Sequence, residues 1–338
     1  MPETPKQPSL PTRERVFSGM RPTGRLHLGH LLGALPNWVS LQNDYDCFYC
    51  VADLHALTTR YDNVAGMKQD GIEMVADWIA AGIDPERSVI FRQSEVKEHS
   101  ELALLLGMLV PVSWLTRVPS YKEMVTELGE RVATLGFLGY PVLQTADIIL
   151  YKAGRVPVGE DQLAHLELAR EIVRRFNGLY GPVFPEPKAL LTQTPRLLGL
   201  DGRKMSKSYG NTIDIAEDPE SIRKKISSMF TDPARQRLKD PGHPEKCNVF
   251  SYHQFFEAPE AELDEIDTGC RAATIGCTEC KGRLADRIMA RLDPIREKRE
   301  ALLAEPGRME AILEDGRARA QVVATEVLDE ACKAIGIE

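Results

Sequence analysis

No stretch of this sequence approaches the roughly 18 uninterrupted apolar residues that a membrane-spanning helix requires. Residues Met1 to Thr12 also lack the apolar run of a secretory signal and carry four prolines instead, so a short flexible tail on a cytoplasmic protein with no membrane partner is expected. Cysteines in even number are missing too: there are seven, and without a secretory signal that argues against a disulfide framework. The chain has no excess of positive charge, with 42 Lys and Arg against 50 Asp and Glu for a net charge of −8. That total speaks only weakly against a nucleic-acid partner, because phosphates are bound by local basic surface. One local surplus exists between Ser221 and Asp240, where Arg223, Lys224, Lys225, Arg235, Arg237 and Lys239 face only Asp232 and Asp240. It reads either as a basic patch on an acidic protein or as an ordinary solvated helix face. No internal repeat is visible.

What is present is ordinary globular material: 338 residues, 43% hydrophobic and 27% charged, suffice for one large domain plus a smaller one and exclude a disordered or fibrous chain. Arg15 to Met20, Cys47 to Val51 and Val89 to Gln93 are short runs of Val, Phe, Tyr and Ile, each followed by turn residues and then a helical pattern. That alternation predicts a parallel sheet with crossover helices, an α/β Rossmann-like fold. Helices are expected over Leu28 to Leu41, Ala65 to Ala81 and Asp161 to Phe176. After about Asn211 helical periods dominate, over Pro219 to Met229, Pro259 to Cys270, Lys281 to Leu303 and Arg308 to Ile335, the last a long helix able to fold back. The division expected is a tail over 1–12, a Rossmann-like domain over 13–212 and an α-helical domain over 213–338. Ligands in such sheets sit at the carboxyl ends of the strands, which points to the turns after Met20, Val51 and Gln93.

The most informative turn runs from Gly19 to His30, through glycines into His27-Leu28-Gly29-His30 and a helix. Glycines let the backbone approach a base and phosphates, and a helix N-terminus favours negative charge. Two histidines three apart share a helix face and can donate to phosphate oxygens. Far along the chain, Arg203-Lys-Met-Ser-Lys-Ser208 follows Leu-Gly-Leu-Asp-Gly in a loop. Its two lysines, three apart among hydroxyls, form a cationic clamp for charge developing on a triphosphate. Either segment alone is also compatible with an unrelated phosphate-binding enzyme or with solvated loop.

Together the two segments resemble the HIGH and KMSKS signatures of class I aminoacyl-tRNA synthetases. Phe17-Ser-Gly19, Asp53-Leu-His55-Ala-Leu-Thr58, the run from Tyr140 to Tyr151 and that from Val156 to Gln162 narrow the resemblance to the tryptophan-specific branch. It spans nearly the whole chain. It implies that L-tryptophan is activated by ATP and Mg2+ to an adenylate and then joined to tRNA(Trp), with the helical domain binding the anticodon and two chains forming a homodimer. His27, His30, Lys204 and Lys207 would stabilise the reacting phosphates. ATP would meet Arg21, Pro22, Thr23, Gly29, Gly159, Glu160, Asp161, Met205, Ser206 and Ser208 besides. Phe17, Gly19, Val156 and Val158 would line the indole pocket with His55, while Asp147 accepts the indole N–H. Tyr140, Gln144 and Gln162 would hold the polar end of the amino acid. Arg21 stands where the commoner bacterial pattern has glutamine, and Gln144 where it has methionine, so Arg21, Gln144 and Gln162 are all candidates for the amino and carboxylate contacts. The alternatives are a tyrosyl-tRNA synthetase or other nucleotidyltransferase with the same turn, and a synthetase-like binder that charges nothing. The intact KMSKS loop argues against the last.

Four cysteines crowd into the helical part as Cys247-x22-Cys270-x6-Cys277-x2-Cys280. Four thiolates suit zinc or a 4Fe-4S cluster, and reduced, unligated thiols are the third reading. Only Cys277 and Cys280 form the CxxC knuckle that zinc favours, and the spacing resembles that of a synthetase subgroup carrying a 4Fe-4S cluster. The apolar surroundings of Cys47 and Cys50 favour an inert core pair.

Overall fold

The computed structural model describes residues 13–118, 121, 125–126, 129–191 and 197–337, so the tail expected over 1–12 lies outside the described residues. In chain order the elements are β1 (Arg15–Met20), α1 (Leu28–Leu32), α2 (Ala34–Leu41), β2 (Asp46–Val51), α3 (Asp53–Arg60), α4 (Met67–Ala80), β3 (Ser88–Arg92), α5 (Glu98–Gly107) and α6 (Val112–Thr116). They continue with α7 (Leu135–Ile149), β4 (Arg155–Val158), α8 (Leu163–Tyr180), β5 (Lys188–Leu191), α9 (Pro219–Ser227), α10 (Asn248–Phe255), α11 (Glu260–Arg271), α12 (Cys277–Ala304) and α13 (Arg308–Ile335).

The strands form one parallel sheet in the order β3-β2-β1-β4-β5. Its strands are apolar on both faces, as a sheet sandwiched between helices requires. Val16, Cys47, Tyr49, Val51 and Ile90 join the core on one side, and Phe17, Phe48, Cys50, Val89 and Phe91 join the core on the other. The order reverses between β1 and β4, so their carboxyl ends flank the crevice where ligands bind in this architecture.

Several boundaries differ from the sequence expectation. The single helix expected over Leu28 to Leu41 breaks at Gly33 into α1 and α2. Pro36 in the first turn of α2 explains the break, because in an uninterrupted helix its ring would clash with the carbonyl of Leu32. α12 begins at Cys277, four residues before the expected Lys281, and so carries two of the clustered cysteines on its first turn. β4 and β5 were not foreseen, being only four residues each, and β4 contains Pro157.

The final helix does fold back, packing on β3 and α5 and contributing Ala320, Ala324, Val327, Leu328 and Ala331 to the second core. Its approach to the sheet is so close that a Cβ on Gly316 would lie 1.8 Å from the Ile90 carbonyl oxygen. α12 packs against α4 and α9, joining the helical part to the sheet. Among the described residues no helix is long and apolar enough to cross a membrane.

Candidate active site

The turn after β1 is organised by its own histidines. His27 caps α1 with Nδ1 accepting from the Gly29 N–H at 3.1 Å, and His30 Nδ1 accepts from the His27 N–H at 3.2 Å. A nitrogen that accepts carries no proton, so in both neutral rings the proton sits on Nε2 as a donor. Burial, followed by the nearby Lys207 charge, pulls His27 down to about 4. Burial, then His27 and Lys207, pulls His30 down to about 3. At neutral pH the pair therefore presents two uncharged N–H donors rather than two cations. Gly29 is required by the ring folded over it, since a Cβ there would lie 2.9 Å from His27 Cε1.

The KMSKS segment reaches this turn across some 180 residues of sequence: Lys207 Nζ donates to the Thr23 carbonyl at 3.0 Å. Met205 is buried, with its sulfur against Gly29. The backbones join as well, through Leu28 N–H to Ile213 O at 3.0 Å and Ile215 N–H to Leu26 O at 2.8 Å. Buried Asn211 shapes the loop, accepting from Ser206 N–H at 2.8 Å and donating to Asp201 at 2.8 Å and to the Lys204 carbonyl at 3.1 Å. Lys204 stays exposed, as do Arg21, Thr23 and Glu160, while Pro22 is buried with its carbonyl accepting from Arg60. Gly159 leads directly out of β4 into a turn over Glu160–Gln162, across the crevice from the first turn. The side chains of Asp161 and Ser208 lie outside the described residues.

Behind the crevice Asp147 on α7 is 3% exposed, and three side chains donate to its carboxylate. Its Oδ1 accepts from Gln93 Nε2 and from His99 Nδ1, both at 2.7 Å, and its Oδ2 accepts from His55 Nε2 at 2.8 Å. His99 passes the network on to the Tyr151 hydroxyl at 2.7 Å. Burial pushes the Asp147 carboxyl up, but the hydrogen bonds and charges of His55 and His99 outweigh it and hold the group well below the usual carboxylate range. Phe17 stacks on Tyr151 at 5.5 Å, and Phe17, Val156 and Val158 all belong to the core on this side of the sheet. Tyr140 lies edge-on to His55 and bonds His165 Nε2 at 2.5 Å. Gly19 is exposed at the end of β1, and Gln144 and Gln162 are half-buried. Sequence reading did not assign Gln93, His99, Tyr151 or Asn211. Gln93 directly follows the carboxyl end of β3, a place the strand-end rule already marked, while His99 stands on α5.

Cys247, Cys270, Cys277 and Cys280 line one pocket, together with Arg235 and Ile266. Burial and then the other three thiols push Cys280 up to about 12, a mutual repulsion that a cationic group would relieve. Among the described residues no group of three or more His, Cys, Asp or Glu is placed to hold a single metal ion. Arg235 Nη1 lies 3.5 Å from the Cys270 sulfur, and His253 Nε2 lies 3.5 Å from that of Cys280. Cys47 and Cys50 are buried in β2 with both thiols pushed up by burial, the inert state their sequence context indicates.

The family model described as tRNA synthetases class I (W and Y) matches residues 11–293. The chain belongs to that family. It is 52% identical over 325 residues to the tryptophan–tRNA ligase of Thermotoga maritima, covering 96% of this chain and 99% of that one. With the tryptophan–tRNA ligase of Aquifex aeolicus it shares 42% identity, covering 96% of this chain and all of the relative. Among solved structures, the tryptophanyl-tRNA synthetase of Campylobacter jejuni complexed with ADP and tryptophan superposes with a TM-score of 0.88 at 36% identity, over 95% of this chain and 99% of that one. The α/β fold read from the sequence is therefore that of class I synthetases.

Proposed function

We propose that this chain activates L-tryptophan with ATP, giving tryptophanyl-adenylate and pyrophosphate, and transfers the tryptophanyl group to the terminal adenosine of tRNA(Trp). The observation that carries this reading is the meeting of the two signature segments, Lys207 on Thr23, at the crevice that Asp147 backs. Relatives named as tryptophan–tRNA ligases along the whole chain supply the substrate.

The chemistry needs no protein nucleophile. The tryptophan carboxylate attacks the α-phosphorus of ATP, the bond to the β-phosphate oxygen breaks, and pyrophosphate leaves. The Nε2–H groups of His27 and His30 donate to phosphate oxygens, and Lys207 and Lys204 neutralise the charge that builds on the leaving group. Mg2+ carried by ATP supplies further neutralisation. Asp147, an anion oriented by Gln93 and His99 from one side, offers Oδ2 to the indole N–H beside His55; a carboxylate oxygen has capacity for a second donor. Phenylalanine offers no donor there, and tyrosine carries its hydroxyl at the tip of a single ring rather than on an indole edge. The pocket therefore discriminates by where the donor lies as well as by its presence. Phe17, Val156 and Val158 form the apolar wall, and Arg21, Tyr140, Gln144 and Gln162 hold the amino and carboxylate groups.

The four cysteines fit a 4Fe-4S cluster. They line one cavity, and their spacing resembles that of a synthetase subgroup carrying such a cluster, with zinc the alternative. Cys247, Cys270, Cys277 and Cys280 would hold it as a brace between α10, α11 and α12, in a region over 213–338 that reads the anticodon. Iron and acid-labile sulfide in anaerobically purified protein, with a broad band near the blue edge of the visible, are expected; stoichiometric zinc in colourless active protein would overturn the cluster. Exposed Leu104, Met108, Val112 and Leu135, on or beside α5, α6 and α7, are large apolar side chains that a homodimer contact would cover. The setting is cytoplasmic. Charging of a tRNA(Trp) transcript with labelled tryptophan tests the reading; acceptance by tRNA(Tyr) instead would contradict it.

A further inference from the structure

An ion pair that the reaction does not use lies between the ATP turn and the helical part. Asp77 on α4 is completely buried, and its Oδ1 takes the Arg299 Nε–H from α12 at 2.6 Å across 222 residues of sequence. Its Oδ2 accepts the backbone N–H of Leu26 at 3.2 Å, the residue immediately before His27. Arg299, 7% exposed, also donates through Nη2 to Glu73 at 3.1 Å, and Glu73 lies 3.5 Å from Arg25 in the same turn.

A buried ion pair is a poor device for stability alone, since apolar side chains of similar volume serve as well or better. What it supplies is a fixed position, because a guanidinium holding one carboxylate oxygen fixes where the other oxygen points. Here that place is the N–H that sets where His27 begins. The other side of the turn hangs on the strap 213–215, which follows the KMSKS loop, through Ile215 N–H to Leu26 O and Leu28 N–H to Ile213 O. Leu26 is thus bonded in front to the KMSKS side and behind to Asp77.

We propose that Asp77 and Arg299 are positioning residues for ATP: the pair sets the His27-to-His30 donors against the KMSKS loop and ties their placement to α12. This rests on reading that turn as the ATP site. It does not touch the tryptophan pocket, whose residues lie on α3, α5 and α7 and on β1 and β4.

The test is direct ligand binding, separate from turnover. Asp77→Leu with Arg299→Met removes both charges together, so no buried charge is stranded, and leaves Leu26 N–H without its acceptor. By calorimetry the ATP dissociation constant is expected to rise about tenfold, the consequence of one misplaced buried donor. Tryptophan binding should stay within about twofold on the same reading, as no pocket contact changes. Arg299→Lys, which keeps the charge but not the planar fork, should give a smaller loss of the same sign and serves if the double variant folds poorly. ATP affinity unchanged in a folded variant, or equal weakening of both ligands, would overturn the proposal while wild-type ATP binding stands. Wild-type protein that binds tryptophan but no ATP would instead remove the reading of the turn, and this inference with it.

Discussion

At the scale of single residues, the chemistry turns on groups whose charge is set by their surroundings. Asp147 is an anion because three side chains donate to it, and Asp147→Ala is expected to lower kcat/KM for tryptophan by about 10²-fold, the worth of a charged buried hydrogen bond, in pyrophosphate exchange. The KM for ATP should move little, since Asp147 contacts neither signature. His27 and His30 sit below the ordinary imidazole value of about 6.5. The unfolded chain therefore binds their protons first as pH falls. The stability they contribute is whole above about 6.5 and is lost between there and about 4 for His27 and about 3 for His30. His27→Asn with His30→Asn keeps a helix cap without a titrating ring, so its Tm should fall less than that of wild type between pH 7 and pH 4; equal slopes would contradict the assignment. The two histidines, the lysines and Asp147 were legible in the sequence as motif residues. Their partners were not, because Gln93, His99 and Asn211 act through contacts that no local spacing announces.

At the scale of elements, the first three strands and most helices follow from apolar periodicity, while β4 and β5 escaped because each is only four residues long and Pro157 interrupts β4. The return of α13 onto β3 was foreseeable only as a possibility of length; what secures it is Gly316 against the Ile90 backbone. Gly316→Ala raises helix propensity by about 1 kcal/mol yet should destabilise the protein by about 1–3 kcal/mol net, because the added methyl meets a carbonyl with no room to move. A chemical denaturation midpoint higher than wild type would show that the contact is not tight. The cysteine spacing was readable, but that the four thiols converge needed α12 to begin at Cys277. Cys277→Ser is expected to abolish the visible band and lower Tm and tRNA affinity together; losing the band while keeping both would end the bracing role.

At the scale of the whole molecule, an acidic chain that handles tRNA depends on local rather than total charge, and the basic residues around α9 adjoin the cysteine region through Arg235. The proposed homodimer is measurable: light scattering should give about twice 37.7 kDa for the wild type and about 37.7 kDa for Met108→Glu with Leu135→Glu, and a wild-type monomer would contradict it. The domain roles rest on one reaction, so the most direct measurement is ATP–pyrophosphate exchange with each amino acid offered in turn. Exchange that depends on tryptophan, with phenylalanine lower by about 10⁴-fold and tyrosine well below tryptophan, is the expected result for a buried acceptor in a pocket shaped for indole. Exchange driven by tyrosine, or none with any amino acid, would contradict it.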